Sequence, residues 1–177
     1  MKHISILLLA IVLSIGGALA QSDDHIKFMG ISLSGLISDI RPKLERVGFK
    51  YTGSAGTDKY HFTGKMDAKT VLLTIIVTPI TKQVMCMNLD YPFHQNRSDA
   101  FDDYTTMSYT LSGVTGESAS ITDESNLQQD TLAETHWDVP EGTIKLSLSS
   151  ELGLSLMFMD RINGLIHYKE NKSLGNL

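Results

Sequence analysis

Two segments near the end of the chain alternate apolar and polar residues with a period of two. Ile144, Leu146 and Leu148 alternate with Lys145, Ser147 and Ser149, and Leu154, Leu156 and Phe158 repeat the pattern with Met157 and Met159 on the opposite face. In an extended chain, successive side chains point to opposite sides, so these segments belong to a sheet with one dominant core face. Residues 71–80 give the strongest signal of this kind: Val71, Leu73, Ile75 and Val77 line one face, and Thr74 and Thr78 the other. Further strands are expected at 59–65, 83–91 and 131–138, ahead of those at 143–149 and 153–160. The links are short (66–69, then Thr81 and Lys82), which implies antiparallel pairing.

Two amphipathic helices are expected among these strands. Ser34 can cap the first, whose Leu36, Ile37, Ile40, Leu44 and Val47 recur at steps of three and four; Gly48 stops it and Phe49 packs back on its last turn. Pro42 interrupts this pattern, and an interior proline costs about 3 kcal/mol, so a kink or a later start is expected. Ser98 or Asp99 can cap the second, which carries Phe101, Tyr104, Met107 or Ser108, and Leu111 and ends at Gly113. Residues 25–31 read as a short strand or arm, 114–129 as a polar loop with one weak strand, and 161–177 as a short closing segment. Helix–strand–strand–strand therefore occurs twice, about 65 residues apart. Two helices with one apolar face each cover one face of the sheet, and the predicted fold is a two-layer α+β sandwich with an antiparallel sheet.

The first twenty residues form a separate unit. Lys2 supplies a positive charge, residues 4–15 an apolar run, and Gly16-Gly17 a helix break; Ala18-Leu19-Ala20 fits a cleavage site between Ala20 and Gln21. The apolar run is shorter than the roughly 20 residues a membrane-spanning helix needs. The expectation is a signal peptide at 1–20 and a single domain at 21–177, periplasmic or secreted, with no transmembrane segment after cleavage. The chain has one cysteine, Cys86, inside the 83–91 strand. It reads as a buried apolar side chain, a nucleophile or an intermolecular disulfide being the alternatives. Residues 98–144 contain no Lys or Arg but ten acidic residues, whereas the rest of the chain beyond the leader carries 14 basic and 10 acidic residues. No basic patch is interleaved with aromatics, so nucleic acid is not an expected partner. The acidic stretch is a solvated surface or a face for a basic partner or a divalent cation.

No motif names a reaction. The histidines form no HxH, HxxxH or HExxH spacing, and the phosphate-loop, dinucleotide and serine-hydrolase signatures are absent. Asp123-Glu124-Ser125-Asn126 is acidic but lacks the alternating oxygens of a calcium loop. No catalytic residue, metal ligand or cofactor is therefore assigned. Candidate ligand- or partner-binding residues are His61, Tyr91, His94, His136 and Trp137, the only tryptophan. Trp137 reads as a core residue or a ligand platform. Met85 and Met87 share a face with Leu89, and the strand methionines are either gap-filling core or an adaptable binding surface.

The segments HIKFMGISLSG, KLERVGF, HFTGKM and FMDRING together resemble a family of small exported proteins of Bacteroidetes bacteria, over most of the chain beyond the leader; Ser34 and Pro42 depart from its pattern. The resemblance implies export and an α+β domain and brings no catalytic residues. It also makes Asp130-Thr131-Leu132 a match to the pattern at which such bacteria O-glycosylate exported proteins. Two functional readings follow. The first is a non-enzymatic binding or adaptor protein, its partner another envelope protein; a smooth, polar second sheet face would argue against it. The second is a small periplasmic hydrolase whose site assembles in space with His61, His94 or His136 as base. That reading requires one histidine within hydrogen-bond reach of both a carboxylate and a hydroxyl in a concave pocket.

Overall fold

A computed structural model describes residues 24–122 and 130–175; the leader, its Ala20–Gln21 cleavage site and the acidic run 123–126 lie outside them. Strands are β1 (Lys27–Phe28), β2 (Ile31–Ser32), β3 (Lys50–Ala55), β4 (Lys59–Met66), β5 (Lys69–Val77), β6 (Val84–Asp90), β7 (Ser120–Ile121), β8 (Thr131–Val139), β9 (Gly142–Ser149) and β10 (Leu154–Asp160). Helices are α1 (Ile37–Arg46), α2 (Arg97–Thr115) and α3 (Arg161–Ser173). Strands β3 to β10 form one antiparallel sheet in the order β3-β4-β5-β6-β10-β9-β8-β7, and β1 and β2 form a small hairpin of their own. The α+β architecture is as the patterning predicts. Each repeat, however, is a helix followed by four strands, and the two meanders meet at β6 and β10.

The extra strands lie at the sheet's two edges, where patterning is weakest. In β3, Lys50-Tyr51-Thr52-Gly53-Ser54-Ala55 has only one large apolar side chain and a register shift between Tyr51 and Gly53, so it shows no alternation. Strand β7 has two residues, both exposed. Strand β5 stops at Val77 rather than residue 80. Thr78 closes the turn instead, its N–H donating to the Gln83 carbonyl and its hydroxyl accepting from the Gln83 N–H.

Register places Phe62, Leu73, Ile75, Met87, Leu89, Leu156, Phe158, Leu146, Ile144 and Trp137 on one face of the sheet. These side chains join one hydrophobic cluster with Ile40 and Leu44 of α1 and Ala100, Tyr104, Met107 and Leu111 of α2. Both helices therefore cover the same face. The arm around β1 fills the space beside α1, with the Phe28 ring 5.9 Å from Phe49 and 5.5 Å from Phe158. Of the methionine pair read as sharing a face, Met87 is core, while Met85 sits at the register shift between β5 and β6.

Helix α1 starts at Ile37. The Ser34 hydroxyl pairs with Ser32 instead of capping, and Asp39 accepts from the Leu36 N–H. The later start and the exposed position of Pro42 accommodate the proline. Gly48 ends the turn with φ +97°, and the Phe49 N–H returns to the Leu44 carbonyl. Asn96, not Ser98 or Asp99, caps α2: its side chain accepts from the Asp99 N–H at 2.9 Å. The helix runs through Gly113 to a left-handed Gly116.

The closing segment is a third helix. Asp160 caps it by accepting from the Asn163 N–H at 2.8 Å, and its inward residues are polar. Asn163 donates to the Leu33 and Val84 carbonyls, and Glu170 accepts from the Ile80 and Thr81 N–H groups and the Thr81 hydroxyl. A helix held by hydrogen bonds to loop backbone carries no apolar stripe, which is why periodicity misses it. Among the described residues no helix is long and apolar enough to cross a membrane.

Candidate functional site

The sheet face turned away from α1 and α2 is left uncovered by those two helices. Cross-strand register arranges it in rows. One row runs Lys59, Ile76, Cys86, Met159, Thr143, Asp138; the next His61, Thr74, Asn88, Met157, Lys145, His136; a third Thr63, Leu72, Asp90, Ser155, Ser147, Glu134. Ile76, Cys86, Met159 and Met157 make an apolar band over β5, β6 and β10, and Leu72 beside it is 39% exposed. Helix α3 crosses only the end of this face, where Gly164 comes against Met159.

Polar groups brace the band. The Ser155 hydroxyl sits 2.8 Å from Asn88 Oδ1 and 2.9 Å from Asp90 Oδ1, and the Asn88 amide donates to Asp90 at 2.9 Å. Lys145 Nζ is 3.0 Å from Glu134 Oε2. Burial is the main influence on the Cys86 thiol and pushes it up to about 12, against the opposing pull of Lys145. A thiol so protonated is a poor nucleophile.

The candidate residues from the sequence do not converge. His61 and His136 share a row but stand five strand spacings apart, roughly 24 Å. His61 Nδ1 is 3.2 Å from the Thr74 hydroxyl. His136 Nε2 is 2.8 Å from the Thr122 hydroxyl, but its Nδ1 is 3.8 Å from Glu134, beyond hydrogen-bond reach. Tyr91 and His94 follow β6 at the far end of the sheet. There His94 Nε2 is 3.3 Å from Asp103, which Lys69 also holds at 2.8 Å. Tyr91 is part of the core, its phenol pushed up by burial and secondarily by Asp67. Trp137 lies on the core face, fully buried, with its indole N–H donating to Ser112 at 2.9 Å.

Two further histidines complete the account. His25 meets the carboxylate of Asp160, and His167 Nε2 is 2.8 Å from the Asn171 amide nitrogen. Among the described residues, no histidine is within hydrogen-bond distance of both a carboxylate and a hydroxyl. Nor do the described residues bring three or more His, Cys, Asp or Glu side chains together in a metal-binding group.

Sequence reasoning did not identify Asn88, Asp90 and Ser155 as a cluster. A signal existed in the polar residues on the second face of otherwise apolar strands, but their meeting depends on β6 pairing with β10, the one long-range junction between the two meanders. The architecture defines a class, an α+β protein built of two helix-and-meander units sharing one sheet. The sequence matches no family model, and no curated protein or solved structure matches it either.

Proposed function

We propose that this chain is an exported, non-enzymatic binding or adaptor protein that presents the second face of its sheet to another envelope protein. One observation carries the reading: the half-buried side chains of Ile76, Met159 and Met157, packed around the buried Cys86, occupy the middle of a face that α1 and α2 leave open. A smooth, polar face would speak against docking, and this one is mixed. Methionine side chains adapt to the shape of a partner, and the charges around the band, Lys59 and Lys145 against Asp90, Glu134 and Asp138, suit the polar rim of a protein interface. The leader supports a periplasmic or secreted location after cleavage between Ala20 and Gln21, and kinship with the exported Bacteroidetes family belongs to the same proposal.

Site-specific photo-cross-linking in the native envelope tests it. A cross-linker at Met157 is expected to capture one envelope protein reproducibly, as identified by mass spectrometry. A second substitution, Leu72→Asp, should abolish that capture. Equal capture from Glu45 on the outside of α1, or capture insensitive to Leu72→Asp, would count against the docking face.

A further inference from the structure

A recess lies between α2 and the paired strands β7 and β8. It is a cavity of about 480 Å³, within the usual range for small-molecule sites. Phe101, Tyr104 and Leu132 give it apolar walls. Tyr109 and Ile121 also line it and stand 76% and 79% exposed.

Hydrogen positions at its base set the chemistry. Tyr104 and Thr135 pair hydroxyl to hydroxyl at 2.5 Å; one O–H donates within that pair, which leaves the other hydrogen to seek an acceptor. Ser112 accepts the indole N–H of Trp137, so its own hydroxyl hydrogen is likewise directed elsewhere. Burial raises the Tyr104 phenol above its usual value, with the Thr135 bond opposing and Glu134 adding to the rise, so the phenol remains a neutral donor. Glu134 also borders the recess, but it alternates to the second face of the sheet, where its carboxylate is engaged by Lys145 at 3.0 Å and Thr122 at 3.2 Å. Among the described residues, its lining includes no Lys or Arg to hold an anion. Glu134 is the one carboxylate among the described lining residues and is already engaged, so a buried cation would lack a counter-charge from them.

We propose that this recess binds a small neutral amphiphile: a flat apolar body held between Phe101, Tyr104 and Leu132, with a carbonyl or ether oxygen accepting from the hydroxyls of Ser112 and the Tyr104–Thr135 pair. The site is separate from the uncovered sheet face and does not depend on its role.

Trp137 is a built-in reporter, because it is the only indole in the chain and bonds to a residue of the recess wall. The chain lacking residues 1–20 is labelled with nitrogen-15 and its single indole N–H resonance followed during titration with four naphthalene probes. These are 2-acetonaphthone, 2-ethylnaphthalene, 2-naphthoate and 2-naphthylmethylammonium. The ketone is expected to give a saturable shift and to bind at least tenfold tighter than the hydrocarbon, with both ions weaker than the ketone. Ser108→Phe, which fills the recess, should abolish the shift. The triple variant Tyr104→Phe, Thr135→Val, Ser112→Ala, which keeps the ring and removes all three hydroxyls, should bring ketone and hydrocarbon affinities together. The proposal is overturned by no saturable shift up to about 1 mM ketone, by an ion binding best, by equal affinity of ketone and hydrocarbon in the unmodified chain, or by ketone binding that survives Ser108→Phe.

Discussion

His25 and Asp160 lie 135 residues apart in the chain and 3.0 Å apart in the fold, the imidazole Nδ1 against a fully buried carboxylate. The same carboxylate accepts the Ile26 N–H at 3.1 Å and the Asn163 N–H at 2.8 Å. One side chain at the end of β10 thus caps α3 and anchors the arm that carries Phe28 into the core. Losing a helix cap costs about 1 kcal/mol, and leaving a buried donor without a partner costs roughly 1–3 kcal/mol more. Asp160→Ala should therefore lower the unfolding free energy by about 3 kcal/mol, Asp160→Asn by less, and His25→Ala, at the partly exposed end, by less than about 1 kcal/mol. Urea denaturation ranks the three; an Asp160→Ala variant within 0.5 kcal/mol, roughly, of the parent would remove the anchoring role.

Glu170 predicts an acid-sensitive contact between α3 and the β5–β6 turn. Burial alone would raise its carboxyl. The hydrogen bonds from the Thr81 hydroxyl, the Ile80 and Thr81 N–H groups and the Thr78 hydroxyl outweigh that, so it sits below its ordinary value of 4.5. A carboxylate lowered by folding adds stability that is complete above its unfolded value and is lost as pH falls through the folded one. The parent should be more stable than Glu170→Gln at pH 7, by about 1–2 kcal/mol for a charge-assisted set of bonds. The gap should narrow on acidification below pH 4.5, roughly. Denaturation of both proteins at pH 7 and in that acid range decides it: a gap that stays constant would mean the carboxylate charge contributes nothing.

These two polar anchors also mark the boundary of what the sequence makes legible. Period-two alternation in β5, β9 and β10 and the three-and-four spacing in α1 and α2 follow directly from burial against one core. Those elements, their antiparallel order and the single covered face can be read residue by residue. Helix α3 buries Asn163 and Glu170 against backbone groups of distant loops, so its inward face looks polar in sequence. Strand β3 is held by pairing to β4 rather than by burial, and Gly53 hides it further. The second face was legible only in part: Met157 and Met159 can be assigned to it by parity, but the Asn88–Asp90–Ser155 cluster exists only once β6 and β10 are neighbours. The histidines misled for a related reason, since their spacing in sequence says nothing about rows across a sheet.

Two glycines predict different degrees of steric damage. The Phe49 ring lies over Gly64, so that a methyl group there would come 2.6 Å from a ring carbon. Phe49 is buried beside Phe28, and its movement disturbs the core; Gly64→Ala should cost about 1–3 kcal/mol, the usual range for overpacking. At Gly142 the methyl group would overlap the backbone carbonyl of Met159, which precedes Asp160, the residue paired with Gly142 in the β9–β10 ladder. Backbone in a paired strand cannot swing aside as a ring can, so Gly142→Ala should be the more harmful, with loss of soluble protein or a larger fall in Tm. Thermal unfolding of both variants tests the order, and a reversed order would contradict the β9–β10 pairing described here.

Cys86 tests how tightly Ile76 and Met159 close over the thiol in the middle of the second face. It is 1% exposed between Ile76 and Met159, and burial holds its thiol near 12. Reaction with a disulfide reagent needs the thiolate and access to it, and both are suppressed here. At pH 8 the native protein should release almost no chromophore from 5,5′-dithiobis(2-nitrobenzoate), whereas in guanidinium one equivalent should appear at once, since the chain has one cysteine. Met159→Ala opens one side of the thiol and should raise the native rate at least tenfold while the denatured rate stays the same. Fast reaction of the unmodified native protein would show that the apolar band does not pack as a closed layer. A docking partner would then meet a reactive thiol at its centre rather than a greasy surface.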